Sequence, residues 1–168
     1  MKKDEKTQLT ISKILEAAMN EFGINGYSGG TINNICSTGI NKGLLYHNFD
    51  GKDDIYLTCL KYSCEKLMNY LKGRNCTENP TQYMSARMDF FNNHSKETHI
   101  FFEAFLSPPS HLSDKIRLIL SEFNSFNESM FPCLWNCFLL YQYTCLSGVC
   151  LWRYCPCNRT CTCFVHCQ

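Results

Sequence analysis

The chain has 168 residues, of which 45% are hydrophobic, 18% charged and 14% aromatic, and its formal net charge is +1. This length suits one compact domain of ordinary size, or a small domain joined to one that depends on a partner. The balanced charge excludes a histone-like or polybasic protein but allows a small local basic surface.

The beginning of the chain does not resemble a secretory signal. It starts MKKDEKTQ and continues directly into a helical pattern, without the apolar segment that a signal peptide needs. We therefore expect a cytoplasmic protein, with reduced thiols and no disulfide framework in residues 1–131.

A 3.6-residue pattern predicts a first amphipathic helix over residues 7–23, ending at Gly23. The apolar residues of its buried face are Ile11, Leu15, Ala18 and Phe22. Thr31 is predicted to cap a short second helix, and Asn41 is predicted to cap a third helix over residues 42–49.

Four more helices are predicted after the third. They cover residues 52–73, 81–94, 97–107 and 110–126. No strand alternation precedes residue 131, so the predicted fold class is all-α. We divide it into a three-helix head, residues 1–52, and an incomplete helical domain for ligand binding and dimerisation, residues 53–131.

The second and third helices, with the tight turn between them, are typical of a helix-turn-helix motif, whose last helix fills the major groove of DNA. Leu45 and Phe49 are spaced to point inward, away from the DNA. The start of the third helix, Asn41-Lys42-Gly43, is expected to offer free N–H groups and a positive dipole end to a phosphate.

Two segments, ILEAAMNEFGINGYSGGTINNI and GINKGLLYHNFDGKDDIY, closely resemble the N-terminal domain of TetR/AcrR-type bacterial transcriptional regulators. The family pattern has a first helix ending in Phe-x-x-x-Gly-Tyr and a Thr-capped second helix. Its third helix resembles Ser/Asn-Lys-Gly-x-Leu/Ile-Tyr-x-Tyr/His-Phe, and a Lys opens the fourth. The matching residues here are Phe22, Gly26, Tyr27, Thr31, Ile35, the run from Gly39 to Gly43, Leu45, Tyr46, Phe49 and Lys52. The resemblance covers residues 8–60.

This resemblance implies a regulator, most often a repressor, that binds a palindromic operator in double-stranded DNA as a homodimer and is released by a small-molecule effector. It implies phosphate contacts for Thr31, Tyr46 and Lys52. The predicted DNA-binding residues, including those at or near the groove, are Thr31, Asn41, Lys42, Gly43, Leu44, Tyr46, His47 and Lys52.

Aromatic residues in the later helices are candidates for lining the effector pocket, although a helical core uses the same residue types. These candidates are Phe90, Phe101, Phe102 and Phe105. No glycine-rich phosphate loop, Ser/His/Asp arrangement or His-Glu-x-x-His motif is present, so we predict neither an enzyme nor a bound cofactor. The early cysteines lack metal-ligand spacing and are predicted to be packed or unreactive thiols.

Residues 132–168 differ in kind from the rest of the chain. They hold nine of the 13 cysteines and two Arg, with no Lys and no acidic residue. The resembled family has two long amphipathic helices here, which form the dimer interface, and this segment has no such pattern. The favoured interpretation is a shift of reading frame after about Phe131, which would leave the homodimer in doubt.

Two other interpretations of this tail stay open. The first is a metal-thiolate or thiol-redox sensor, because two Cys-x-Cys pairs have a spacing that suits soft-metal thiolate clusters. The candidate metal ligands are Cys155, Cys157, Cys161 and Cys163. The second is a membrane segment, since the uncharged run Ser129–Trp152 is long enough to span, but its polar residues make it weakly hydrophobic, and no membrane partner is predicted.

Overall fold

The computed structural model describes residues 3–74 and 79–130, and the fold of these residues is all-α, as predicted. The helices are α1 (Lys3–Gly29), α2 (Ile32–Ser37), α3 (Lys42–Asn48), α4 (Lys52–Gly73), α5 (Pro80–Asn93), α6 (Ser95–Leu106) and α7 (Ser113–Met130), with a 3-10 turn at Ser110–Leu112 before α7. Each predicted helix is present. Within the described ranges, no helix is long and apolar enough to cross a membrane.

The predictions for the cysteine-rich tail fall outside the described residues. This applies to the run that ends at Trp152, to the proposed change of frame and to the thiolate cluster. The candidate metal ligands that lie outside the described residues are Cys155, Cys157, Cys161 and Cys163. Among the residues that are described, no group of three or more His, Cys, Asp or Glu side chains is arranged to hold a metal ion.

Helix α1 does not end at Gly23 as the sequence predicted. It continues to Gly29, with non-helical backbone at Gly26, where φ is 66° and ψ is −178°. Glycine is favoured there because residues with a Cβ rarely adopt positive φ, and an added Cβ would lie 2.6 Å from a carboxylate oxygen of Glu103. That carboxylate on α6 accepts the N–H of Tyr27 and so holds the break in place.

The core of the head forms where α1, α2 and α3 meet the start of α4. Ile35 and Leu45 are fully buried there, and the ring of Phe22 packs edge-on against Tyr56 with centroids 5.4 Å apart. Gly30 permits this approach, because an added Cβ would lie 2.6 Å from the Phe22 ring. The predicted inward face of α1 is correct for Ala18 and Phe22, which are buried; Ile11 and Leu15 are only half-buried.

The remaining helices form a body that supports the head. Helix α6 packs against both α1 and α4, and α4 also packs against α5 and α7. The buried face of the 3-10 turn and α7 is formed by Leu112, Ile116, Leu120 and Phe123. The head therefore rests on α4 and α6, so its orientation depends on the body.

Candidate nucleic-acid interface

Helix α3 presents one face to the core and the other to solvent. Leu45 and Phe49 are buried, which confirms their predicted inward position, and they fix the helix against the head. Between them, Tyr46 is 52% exposed, and the preceding Leu44 is 49% exposed. Aliphatic and aromatic side chains left this open on a helix anchored by its neighbours are available to a partner.

The other predicted contact residues are also accessible to a partner, fully or in part. The predicted DNA-binding residues that are exposed are Thr31, Asn41, Lys42, Gly43, Leu44, Tyr46 and His47, and Lys52 is half-buried. Helices α2 and α3 and the residues that flank them thus expose cationic, hydroxyl and apolar groups, which are the types that bind phosphates and base edges. Their joint role in DNA binding stays a prediction.

One expectation for the start of α3 is wrong. We expected free N–H groups there for a phosphate, but the Asn41 side chain accepts the N–H of Gly43 at 2.8 Å and of Leu44 at 3.3 Å. The N–H of Leu45 donates to the backbone oxygen of Asn41. Asn41 is therefore the predicted N-cap of α3, and the capping itself occupies two of the amides, those of Gly43 and Leu44, that were expected to meet an anion.

Thr31 caps α2 as predicted and keeps its hydroxyl proton for another partner. Its Oγ1 accepts the N–H of Asn34 at 3.1 Å, while its own N–H donates to Glu21 Oε1 at 2.9 Å. A hydroxyl that accepts one hydrogen bond can still donate one, so the cap geometry is compatible with a phosphate contact.

The two lysines of the surface have different surroundings. Lys42 Nζ donates to Asn33 Oδ1 at 3.3 Å, which links the start of α3 to α2. Lys52 Nζ lies 4.4 Å from the centre of the Tyr27 ring, a cation–π arrangement at the first residue of α4. The Lys42 ammonium group is held between α2 and α3 and that of Lys52 at the end of α1, and the charge of each favours an anionic partner.

Sequence reasoning missed Asn33 and Glu21, which hold this surface together. Glu21 Oε1 accepts from both the Thr31 N–H and Asn34 Nδ2, and so joins α1 to the start of α2. Neither residue belongs to an apolar periodicity. Which polar side chains meet is decided by how the short helices cross, and no pattern along one helix reveals that.

A polar cluster that the sequence did not predict joins the head to the body. The Tyr27 hydroxyl donates to Asp53 Oδ1 at 2.5 Å and lies 3.1 Å from His111 Nε2, and that nitrogen is 3.3 Å from Asp53 Oδ2. Burial raises the pKa of the Tyr27 phenol to about 12, and the hydrogen bond and charge of Asp53 act in the same direction. We call Tyr27, Asp53, Glu103 and His111 the junction cluster.

The predicted pocket phenylalanines lie in the body, where Phe101 contacts Phe102 and Phe105, and Phe90 contacts Phe91. Phe90 and Phe101 are buried, Phe105 is half-buried and Phe102 is exposed. The rings of Phe101 and Phe105 stack with centroids 6.2 Å apart, and Phe101 meets Phe123 edge-on. An effector role for these residues stays a prediction.

An open groove of about 370 Å³ lies elsewhere, between α1, α4 and α6. It is lined by Ser12, Leu15, Glu16, Met19, Asn20, Tyr62, Lys96 and Glu97. None of the predicted pocket phenylalanines lines it.

Comparison with known protein families agrees with a helix-turn-helix head. Residues 14–59 match the family model described as bacterial regulatory proteins, tetR family, and this range includes every predicted DNA-binding residue. A comparison with curated proteins finds no match. The chain therefore carries the N-terminal helix-turn-helix domain of the TetR family of DNA-binding transcriptional regulators.

Proposed function

We propose that this protein is a transcriptional repressor whose head binds an operator through α3 and releases it when a small molecule binds the helical body. The observation that carries this proposal is the two-sided character of α3. Leu45 and Phe49 anchor it in the core, while Lys42, Tyr46 and His47 between and beside them stay exposed. A short, rigidly held helix with an exposed polar face is what groove binding requires.

In this proposal α3 lies in the major groove. Lys42 and His47 donate to base edges, Leu44 contacts a thymine methyl group, and Gly43 lets the backbone approach the duplex closely. Lys donation to guanine O6 and N7 is a common specific contact of this kind, so Lys42 is the residue most expected to set sequence preference.

The flanking residues hold the head in register by binding phosphates. Thr31 donates its hydroxyl proton from the start of α2, Tyr46 donates its phenol proton, and Lys52 supplies charge from the start of α4. Residues 1–52 carry six Lys and five acidic residues, a net of 6 − 5 = +1. Because the net charge of the head is small, the proposal depends on where these few groups lie.

Residues 53–131 are proposed to take up the effector, and the protein is proposed to act in the cytoplasm, where the chromosome is accessible. In a dimer on a palindromic site, the spacing of the two heads must match the half-sites, so an effector that moves the heads weakens binding. The tail, residues 132–168, is given no role in this proposal.

The proposal is tested by selecting duplexes from a random pool with the full chain and measuring binding by fluorescence anisotropy. We expect Lys42→Gln to relax the sequence preference at one base pair, at a cost of about 1–3 kcal/mol in binding. Lys115→Gln is the matched control, because Lys115 is an exposed lysine on α7 and is not among the predicted DNA-binding residues. Equal binding of all duplexes by the unaltered chain would contradict the proposal.

A further inference from the structure

Arg87 on α5 is surrounded by aromatic rings. Its guanidinium carbon lies 5.8 Å from the ring centres of Tyr83 and Phe91 on the same helix, and 5.7 Å from that of Phe123 on α7. Three rings at this distance stabilise a cation, and they also exclude much of the water that would solvate it.

No acidic side chain among the described residues forms an ion pair with the Arg87 guanidinium. Its Nε is buried and has no hydrogen-bond partner. Burial lowers the pKa of the guanidinium, and the charge and side-chain hydrogen bond of Tyr83 oppose this effect, but Tyr83 is not an acid that would neutralise the cation. By contrast, Lys66 pairs with a carboxylate on a neighbouring helix.

The segments outside the described residues contain only one acidic residue that could pair with this cation. Residues 131–168 contain no Asp and no Glu, and the segment 75–78 contains one acid, Glu78. A charge that is mostly removed from water without a counter-charge is costly, so proteins normally pair or solvate such groups.

A second unsatisfied polar group lies on α7. The side-chain oxygen of Asn124 is buried without a hydrogen-bond partner, and Asn124 directly follows Phe123, whose ring contacts the guanidinium. Rotating the amide by 180° exchanges its oxygen with its NH₂ group, so Asn124 can offer either a donor or an acceptor. Asn124 is therefore a second buried polar group of the body whose hydrogen bonding is incomplete.

We propose that Arg87 binds the carboxylate of a small organic acid with an apolar body, and that this acid is the effector. The fork of N–H donors on Arg fits a carboxylate in bidentate fashion. A monoanion neutralises the single cation, whereas a phosphate dianion would leave excess charge among apolar rings. The half-buried ring of Phe91, beside the guanidinium, accepts the apolar body. This inference rests on the proposed function, since it names the effector class.

Calorimetry with the full chain tests the proposal, using decanoate and benzoate as probes and decanamide and benzamide as neutral isosteres. We expect at least one carboxylate to bind the unaltered chain, and to bind about tenfold or more tighter than its amide. Arg87→Gln should remove that difference. Arg117→Gln is the matched control, because Arg117 is an exposed arginine paired with Asp114 on α7 and should leave binding unchanged.

Thermal melting without ligand distinguishes a binding role from a structural one. If Arg87 awaits an anion, Arg87→Met should keep or raise the melting temperature, because it removes an unpaired, desolvated charge. A clear fall would identify Arg87 as a structural cation among the rings and would overturn the proposal. Equal binding of acids and amides by the unaltered chain, or no binding of either, would overturn it too, and this measurement does not depend on any variant.

A separate measurement of DNA binding distinguishes a failure of the effector proposal from a failure of the repressor proposal. Carboxylate binding that depends on Arg87, combined with no sequence-selective DNA binding, would refute the repressor and support the anion site alone. Selective DNA binding combined with no Arg87-dependent carboxylate binding would refute only the effector class. The complete expectation is that the bound carboxylate lowers DNA affinity in the unaltered chain and not in Arg87→Gln.

Discussion

Both carboxylate oxygens of Glu103 on α6 accept the backbone N–H of Tyr27 at the break in α1, at 2.8 and 3.0 Å. The same carboxylate accepts the hydroxyl of the fully buried Tyr56 at 3.0 Å. One side chain of the body therefore completes the backbone of the last turn of α1, directly before the two short helices that carry the proposed DNA contacts.

Removing this carboxylate should destabilise the fold. We expect Glu103→Ala to lower the free energy of unfolding by about 2–4 kcal/mol, because it leaves the Tyr27 N–H and the Tyr56 hydroxyl without partners. Urea denaturation measures this. Glu128→Ala removes an exposed carboxylate from α7 and should change the stability by less than about 0.5 kcal/mol. Equal effects of the two substitutions would show that the Glu103 contacts contribute nothing.

Alkaline pH should also destabilise the protein, through its buried thiols. Burial raises the pKa of Cys59 and of Cys64 to about 12, from an ordinary value of 9.0. Their folded pKa lies above the unfolded one, so their contribution is complete below pH 9 and is lost as the pH rises towards 12. Each thiol contributes a slope of at most about 1.4 kcal/mol per pH unit within that range.

Urea denaturation at several pH values between 8 and 12 tests this expectation. Cys59→Ala and Cys59→Val both remove one titrating thiol, so both should show a shallower fall in stability with pH than the unaltered chain. The two variants differ in packing and should differ only in their stability at pH 8. A slope unchanged in both would mean that Cys59 does not titrate on unfolding in this range.

Close packing of Gly30 against the last part of α1 makes this glycine sensitive to substitution. An added Cβ would lie 2.6 Å from Phe22 Cδ1 and 2.9 Å from the backbone oxygen of Gly26. We expect Gly30→Ala to cost about 1–3 kcal/mol of stability, since the Phe22 ring and the backbone must both shift. Gly73→Ala, at the end of α4, meets nothing within 4 Å and should be neutral or stabilising. Chemical denaturation of both variants compares them directly.

Much of this fold could be predicted from the sequence because it depends on local patterns. Apolar periodicity located α4 at residues 52–73, as observed, and Thr31 and Asn41 identified the starts of α2 and α3 through capping chemistry. The end of α1 could not be predicted in this way. Gly23 looked like a helix end, but the chain continues to Gly29 because a carboxylate 76 residues away stabilises the break.

In the candidate site, too, the features set by local sequence patterns were predictable and the long-range contacts were not. Exposure of the α3 face followed from the spacing of Leu45 and Phe49, whereas the contacts of Lys42 with Asn33 and of Tyr27 with Asp53 depend on helix crossings. The surroundings of Arg87 were equally hidden, since Phe123 is 36 positions away along the chain. Long-range polar contacts leave no periodic signal in a single sequence.

The proposed repressor should bind DNA weakly in this chain. If the tail does not supply a dimer interface, a single head binds a single half-site. The gain in affinity that a dimer obtains by binding both half-sites at once is then lost. We expect dissociation constants of about 10⁻⁶ M or weaker at physiological salt, rising steeply with salt concentration. Fluorescence anisotropy measures the dissociation constant, and sizing chromatography measures the oligomeric state. A nanomolar operator affinity with a stable dimer would contradict this expectation.

The cap of α3 gives a way to separate DNA binding from stability. Asn41 caps α3 in the head and Asn79 caps α5 in the body through the same pair of side-chain hydrogen bonds. Replacing either by Ala should cost about 0.5–2 kcal/mol of stability, because two N–H groups lose their acceptor. Only Asn41→Ala should weaken DNA binding, since it loosens the turn that presents Lys42 and Gly43. If both variants bind DNA as well as the unaltered chain while both lose stability, the start of α3 does not lie against the duplex.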